Sequence, residues 1–390
     1  MIISAANRLD HVQEYYFARK LRELRARMAA GEDIINLGIG NPDMSPSDST
    51  LKTLVKTAIE PDQHGYQPYK GIPALRQAFA DWYVRTYGVS LNPDSEILPL
   101  MGSKEGIMHI SMAFLNEGDE VLVPNPGYPT YSSVAKLVGA KIRHYDLTEA
   151  KSWQPDFDAL EQTDLSKVKI MWVSYPHMPT GAAASRELFA RLVAFGKKHQ
   201  ILICHDNPYS LVLNPEPLSI FEVDGAKEVA VELNSLSKSH NMAGWRIGAV
   251  SGAADYISTV LKVKSNMDSG MFRPLQEAAV TALGNSFEWH GERNEVYRFR
   301  RSIAESILRA LGCEFQEEQV GMFVWARIPE HAASSEAFSD QVLNEAKVFL
   351  TPGFIFGSNG EGYVRISLCT VTPRLQEALT RILEMVLAKA

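Results

Sequence analysis

No stretch of this chain approaches the ~20 consecutive apolar residues that a membrane-spanning helix needs. The amino terminus, MIISAANRLDHVQEYYFARKL, is charged throughout and has no apolar segment of signal length. Cysteine is scarce: Cys204, Cys313 and Cys369 stand far apart without metal-ligand spacing, so they read as buried thiols of a reducing compartment and give a metal no case. A basic strip is missing too. The 39 basic and 46 acidic residues are spread along the chain for a formal charge of −7, which argues against nucleic acid or an anionic membrane as partner. Internal repeats, low-complexity tracts and disordered linkers are also lacking. These absences leave a soluble, cytoplasmic protein whose 390 residues, 45% hydrophobic and 22% charged, suffice for one large core and a smaller lobe.

Hydrophobic periodicity organises the chain. Val12, Tyr15, Tyr16, Ala18, Leu21, Leu24 and Met28 recur at helical steps, predicting a helix over His11 to Met28 that Gly31 can end. Further helices are expected from Ser103 to Leu115 and Pro129 to Leu137, with a strand between them at Glu120 to Pro124. Strands are also expected at Val168 to Ser174, Ile201 to Cys204, Val229 to Asn234 and Ile247 to Ser251. Such alternation predicts an α/β architecture, a mainly parallel sheet covered by helices on both faces, with functional residues at strand ends. After the helix FRPLQEAAVTALG, a long polar helix over Ser286 to Leu311 should lead into a second, smaller α/β lobe ending in LQEALTRILEMVLAKA.

The densest chemistry lies in NSLSKSHNMAGWRIG, Asn234 to Gly248. Lys238 sits among small hydroxyl residues, and Arg246 follows eight positions on. A lone loop lysine is ordinarily a solvated charge. This one has company, because thirty-two residues upstream the run ILIC ends in HDNPY, placing Asp206 at a strand end and Tyr209 three residues later. Pyridoxal phosphate needs this set: a lysine to form a Schiff base, an acid to keep the ring nitrogen protonated, a phenol at the 3-oxygen and a cation for the phosphate.

With these motifs the chain resembles the class I/II aminotransferases, enzymes of pyridoxal phosphate fold type I, along nearly its whole length. The matching blocks are INLGIGNPD (Ile35 to Asp43), GYQPYKGIPALR (Gly65 to Arg76), GSKEG (Gly102 to Gly106), PNPGYPTY (Pro124 to Tyr131), PTG (Pro179 to Gly181), DNPY, SLSKSHNMAGWRIG and YVRISL (Tyr363 to Leu368). SNMDSGMFRP and GFIFGSNG are most similar to the branch that contains LL-diaminopimelate aminotransferase. The resemblance implies an amino-terminal arm with part of the small domain over 1–45, a large cofactor-binding domain over 46–285 and a small carboxy-terminal domain over 286–390.

It also implies roles. GSKEG offers a helix amino terminus to the phosphate, through Ser103 and Lys104, and Ser235 and Arg246 complete the cup, with Ser237 a weaker candidate. GSKEG taken alone could equally be a plain helix cap. Tyr128 corresponds to the ring that stacks on the cofactor, although a Tyr between Gly and Pro also suits turn packing. Tyr66 matches a tyrosine that reaches the phosphate of a neighbouring subunit, which implies a homodimer with shared sites; read alone it is a half-buried aromatic. Arg365, a charge in an apolar strand, needs a counter-charge, and either a substrate carboxylate or a structural salt bridge would serve. Gly40 would let the backbone approach the same carboxylate.

One departure stands out. Relatives read NPTG, whereas YPHMPTG puts Met178 where an asparagine is expected to donate to the 3-oxygen. A thioether cannot donate, so Tyr209 is left with that contact unless His177 or a water substitutes, and the lysine–cofactor linkage should titrate at a higher pH. His205 and His240 read as packed or solvated histidines. Lys264 and Arg273 could reach an acidic substrate or be surface charges. The implied reaction moves an amino group between an L-amino acid and a 2-oxo acid. A carbon–sulfur β-lyase of the same fold is the rival. A regulatory protein is disfavoured, since such regulators add a DNA-binding domain and this chain begins with the aminotransferase arm.

Overall fold

A computed structural model describes residues 2–10 and 16–388. In chain order it gives α1 (Tyr16–Ala29), β1 (Ile35–Asn36), α2 (Asp48–Ala58), α3 (Pro73–Tyr87), β2 (Ile97–Leu100), α4 (Ser103–Phe114), β3 (Glu120–Asn125), α5 (Pro129–Leu137) and β4 (Lys141–Asp146). There follow α6 (Phe157–Glu161), β5 (Val168–Val173), α7 (Arg186–His199), β6 (Leu202–Asp206), β7 (Ala230–Ser235), the single turn α8 (Leu236–Ser239), β8 (Gly248–Gly252), α9 (Ala254–Lys264) and α10 (Arg273–Leu283). The long α11 (Phe287–Ala310) leads to β9 (Phe323–Arg327), α12 (Ser335–Ala346), β10 (Val348–Phe349), β11 (Thr351–Pro352), β12 (Tyr363–Ser367) and α13 (Thr372–Leu387). The first five residues of the helix predicted over His11 to Met28 lie outside the described residues. The remainder is helical to Ala29.

Seven strands form the central sheet in the order β2-β8-β7-β6-β5-β3-β4. Only β8 runs against its neighbours, pairing antiparallel with both β2 and β7, so the sheet is mainly parallel as its alternating helices require. Leu100, Gly248 and Ser235 pair in register, bringing the end of β2, the start of β8 and the end of β7 to one edge. The two-residue period of each strand splits its side chains between two cores. Ile170, Trp172, Cys204 and Leu233 face a cluster with Ile107 of α4 and Val134 of α5, while Met171, Val173 and Ile203 face Phe79 and Leu192 of α3 and α7. A smaller antiparallel sheet, β11-β12-β9, carries Arg365, and β1 pairs in parallel with β10, so the segment after α1 closes against the carboxy-terminal part of the chain. Among the described residues no helix is long and apolar enough to cross a membrane.

One face of the sheet hides charge. Glu232, fully buried in β7, meets His205 Nδ1 at 2.7 Å and accepts from Tyr83 at 2.8 Å, Ser219 Oγ at 3.0 Å and the Ile220 amide at 3.1 Å. His205, one residue before Asp206, thereby sits in a polar network behind the functional edge, its Nε2 2.9 Å from the Tyr175 carbonyl oxygen. His240 is likewise packed, against His290 and Ser239 Oγ. Lys264 is no surface charge: it is 1% exposed and held by both oxygens of Asp268 at 2.8 Å. Glu105 and His109 lie near that Asp268, whose carboxylate the lysine already neutralises. Arg273 is half-exposed and pairs with Glu277 at 3.3 Å.

Because Glu232 satisfies five neighbours at once, Asn234 Nδ2 at 3.2 Å being the fifth, its loss should strand several buried polar groups. Glu232→Ala is expected to lower the unfolding free energy by roughly 3–5 kcal/mol, read as a lower urea midpoint of the purified protein.

Candidate active site

At the shared strand edge lies a cavity of 720 Å³. Ten of the predicted site residues line it, drawn from six separated stretches of sequence. Ser103 and Lys104 open α4 at its wall. Their position depends on Gly102, whose φ of 86° is costly for other residues and whose missing side chain leaves room for the Arg246 guanidinium. Arg246 Nη1 donates to the Ala243 carbonyl at 3.0 Å and to Ser237 Oγ at 3.3 Å. Ser235 caps α8, accepting from the Ser237 amide at 3.2 Å. Helix-start amides, hydroxyls and a guanidinium together make a cradle suited to a dianion.

Lys238 follows in that same turn, so the short α8, rather than a loop, presents it to the cavity. Burial pushes its ammonium below the ordinary lysine range, and the nearby Arg365 and Arg246 push the same way against an opposing contribution from Cys369. Its Nζ donates to the carbonyl of Gly40. A lysine so placed gives up its proton to become a nucleophile or base more readily than a surface lysine.

Asp206 closes β6 and is itself part of the strand. Its Oδ2 accepts from Tyr131 OH at 2.8 Å, whereas Oδ1, equally buried, has no hydrogen-bond partner. Burial raises this carboxyl from 3.8 to about 6, partly offset by the Tyr131 hydrogen bond and the field of His205. A bare carboxylate oxygen in a cavity asks for a cationic N–H, which is what a protonated pyridine ring supplies. Tyr131 is a site residue that the sequence reading passed over. It stands in the quoted PGYPTY block one helical turn after Tyr128, stacks on Trp172 with ring centroids 5.0 Å apart, and meets Tyr128 edge-on at 5.6 Å. Tyr209 lies across the cavity against Phe323, and burial raises its phenol.

Arg365 enters from β12. One nitrogen donates to the Gly38 carbonyl at 2.9 Å and another lies 3.2 Å from Met178 Sδ. Phe323 and Phe356 cover its guanidinium at 3.9 and 4.6 Å, and its Nε has no partner. Burial brings its pKa down to about 10. No carboxylate pairs with it among the described residues, so the structural salt bridge is not what balances this charge. A ligand carboxylate would do so. Met178 faces Arg365, while His177 turns its Nδ1 to Thr180 Oγ1 at 2.8 Å and does not line the cavity, so it does not replace the missing asparagine. Tyr66 stands apart from the cluster at 93% exposure, which removes the half-buried reading.

A phosphate cradle, a half-buried lysine, an acid with a bare oxygen and an arginine without a carboxylate partner fit pyridoxal phosphate and an amino-acid carboxylate, on a fold type I frame. The chain belongs to the class I and II aminotransferases: the family model "Aminotransferase class I and II" matches residues 32–382. It is 43% identical over 381 residues to an LL-diaminopimelate aminotransferase of Oleidesulfovibrio alaskensis (97% of this chain, 98% of the relative). It is 40% identical over 379 residues to one of Dehalococcoides mccartyi (97% of each). Among solved structures, substrate-bound BacF from Bacillus subtilis superposes with a TM-score of 0.93 at 36% identity, covering 98% of both chains. The protein is thus a pyridoxal phosphate-dependent aminotransferase of the branch similar to LL-diaminopimelate aminotransferase, and the lyase alternative is not favoured.

The Asp206 carboxyl makes a pH-dependent prediction. Its folded pKa of about 6 lies above its ordinary 3.8, so the folded chain holds this proton more tightly and loses stability as pH rises across that window. Above it the buried charge costs roughly 3 kcal/mol. Asp206→Asn should therefore stabilise the cofactor-free protein by up to about 3 kcal/mol at pH 7.5 and give no gain near pH 4, measured by denaturant unfolding at both pH values.

Proposed function

We propose that Lys238, Asp206 and Tyr209 carry the catalysis of this aminotransferase, and that Ser103, Lys104, Tyr128, Ser235 and Arg246 hold its cofactor. The observation that carries the assignment is the unpartnered Oδ1 of buried Asp206, in the cavity that Lys238 also lines. Pyridoxal phosphate, when bound, supplies a sink for the electron pair left as the amino acid's Cα–H bond breaks. Lys238 Nζ, neutral once displaced, takes the Cα proton and hands it on. Asp206 Oδ1 would accept from the ring N–H and hold that proton in place, which would deepen the sink. Tyr209 would donate its phenol proton to the 3-oxygen. Arg365 clamps the substrate carboxylate, with Gly40 leaving the backbone close by. A 2-oxo acid leaves, and a second 2-oxo acid takes up the amino group.

The working form we infer is a cytoplasmic homodimer in which Tyr66 of each subunit completes the phosphate site of the other. Residues 46–285 make the large domain, and 286–390 with 1–45 make the small one, so that Arg365 rides on the lobe opposite the cofactor. The name of the relatives puts LL-diaminopimelate among the first donors to assay.

Lys238→Ala should reduce steady turnover below detection with every donor; substantial retained activity of the purified variant contradicts the role. Met178 offers no donor to the 3-oxygen, so Met178→Asn should shift the pH titration of the visible band of the bound cofactor to lower pH. An unchanged midpoint removes the idea that Met178 raises it.

A further inference from the structure

Beyond the cofactor-holding residues, the cavity continues past Arg365 toward α1, and its wall there changes character. Tyr16, Phe17 and Leu21 of α1 face it from one side and Ile355 and Phe356 from the other. Tyr16 is polar only in name at this wall. Its hydroxyl is bonded to Glu336, and its ring packs edge-on against Phe354 at 4.9 Å, so the ring is what remains for a ligand.

Charge in the lining is confined to the other end. Asp206 is the only carboxylate among the described lining residues, and the only cations are Lys104, Lys238, Arg246 and Arg365. Each of these has a task at the cofactor or at the substrate's own carboxylate. Between α1 and the Ile355–Phe356 segment, a distal ammonium–carboxylate pair on a substrate side chain would lose its hydration without gaining partners among the described lining residues.

Resting on the aminotransferase reading, we propose that the amino donor is a monocarboxylic amino acid with a bulky apolar side chain, aromatic or large aliphatic, seated between α1 and the Ile355–Phe356 segment. This departs from the substrate in the names of the relatives. The apolar wall contributes binding in proportion to the side-chain area it covers, and Phe17 is its member nearest to a replaceable plug.

The test uses the holoenzyme and follows conversion of the visible cofactor band with L-phenylalanine, L-methionine, L-alanine, L-aspartate and LL-diaminopimelate. Phenylalanine or methionine should exceed both aspartate and LL-diaminopimelate by about 100-fold in kcat/KM. Calorimetry with unreactive carboxylates gives a second reading: 3-phenylpropanoate should bind about tenfold tighter than glutarate. Phe17→Ala should lower kcat/KM for phenylalanine about tenfold more than for alanine. A preference for LL-diaminopimelate, or for aspartate with Arg19 beside the Tyr16 ring as counter-ion, overturns the proposal and leaves the aminotransferase standing. Failure of every amino acid to convert the band, together with failure of 2-oxo acids to restore it from the pyridoxamine form, removes both.

Discussion

Three ionisable groups that water would ordinarily keep, half-buried Lys238 and buried Asp206 and Arg365, surround one cavity, and none has a charged side-chain partner among the described residues. Burial alone shifts each toward its neutral form: the lysine down, the carboxyl up to about 6, the guanidinium down to about 10. Such a cluster is unfavourable in the free protein and becomes favourable only when a ligand brings the complementary charges: a protonated ring nitrogen, a phosphate and an α-carboxylate. The rest of the structure holds that arrangement in place. The reversed strand β8 is what allows Arg246 to begin where β7 ends, and it brings the guanidinium to the same edge as Lys238.

Holding an unfavourable cluster requires a rigid surround. Asp206 is gripped by Tyr131 on one face of β6, and Tyr131 is fixed by its stack on Trp172. On the other face, one residue earlier, His205 is tied to Glu232 and through it to Tyr83 and Ser219. The strand end therefore has little freedom to turn its carboxylate away, and a free oxygen aimed into the cavity persists without a ligand. Precision of this kind, with side chains supported by a second layer of hydrogen bonds, is what positioning catalysis demands.

Much of this was legible in the residues. Strand periods located β3, β5, β6, β7 and β8 of the central sheet, because buried strands read as short apolar runs between turn residues, whereas the edge strand β4, largely polar and half-exposed, was missed. Lys238, Asp206, Tyr209 and Arg246 could be found because their chemistry sits in short motifs beside strand ends. What escaped was long-range pairing. Lys264 reads as a surface charge until Asp268 folds back on it, and nothing local announces that Glu232, in an apolar strand, would serve His205 and Tyr83, the latter 149 positions away. Tyr131 was overlooked although its motif was quoted, since its value lies in reaching a residue 75 positions on.

The same contrast between local and distant information bears on specificity. Residues that touch the cofactor lie in recognisable blocks, so kinship in those blocks speaks for the reaction. Residues that line the apolar end of the cavity come from α1 and from the segment after β11, two stretches that flank β1 and β10 and meet because those strands pair. Among the described residues neither stretch carries a charge into the cavity, and Met178 sets a thioether beside Arg365. Moving polarity out of this end weakens any second carboxylate's hold while leaving the Arg365 clamp and the Asp206 contact untouched. A chain can therefore keep the full reaction machinery of its relatives and still change what it selects, because the two properties are written in different parts of the sequence.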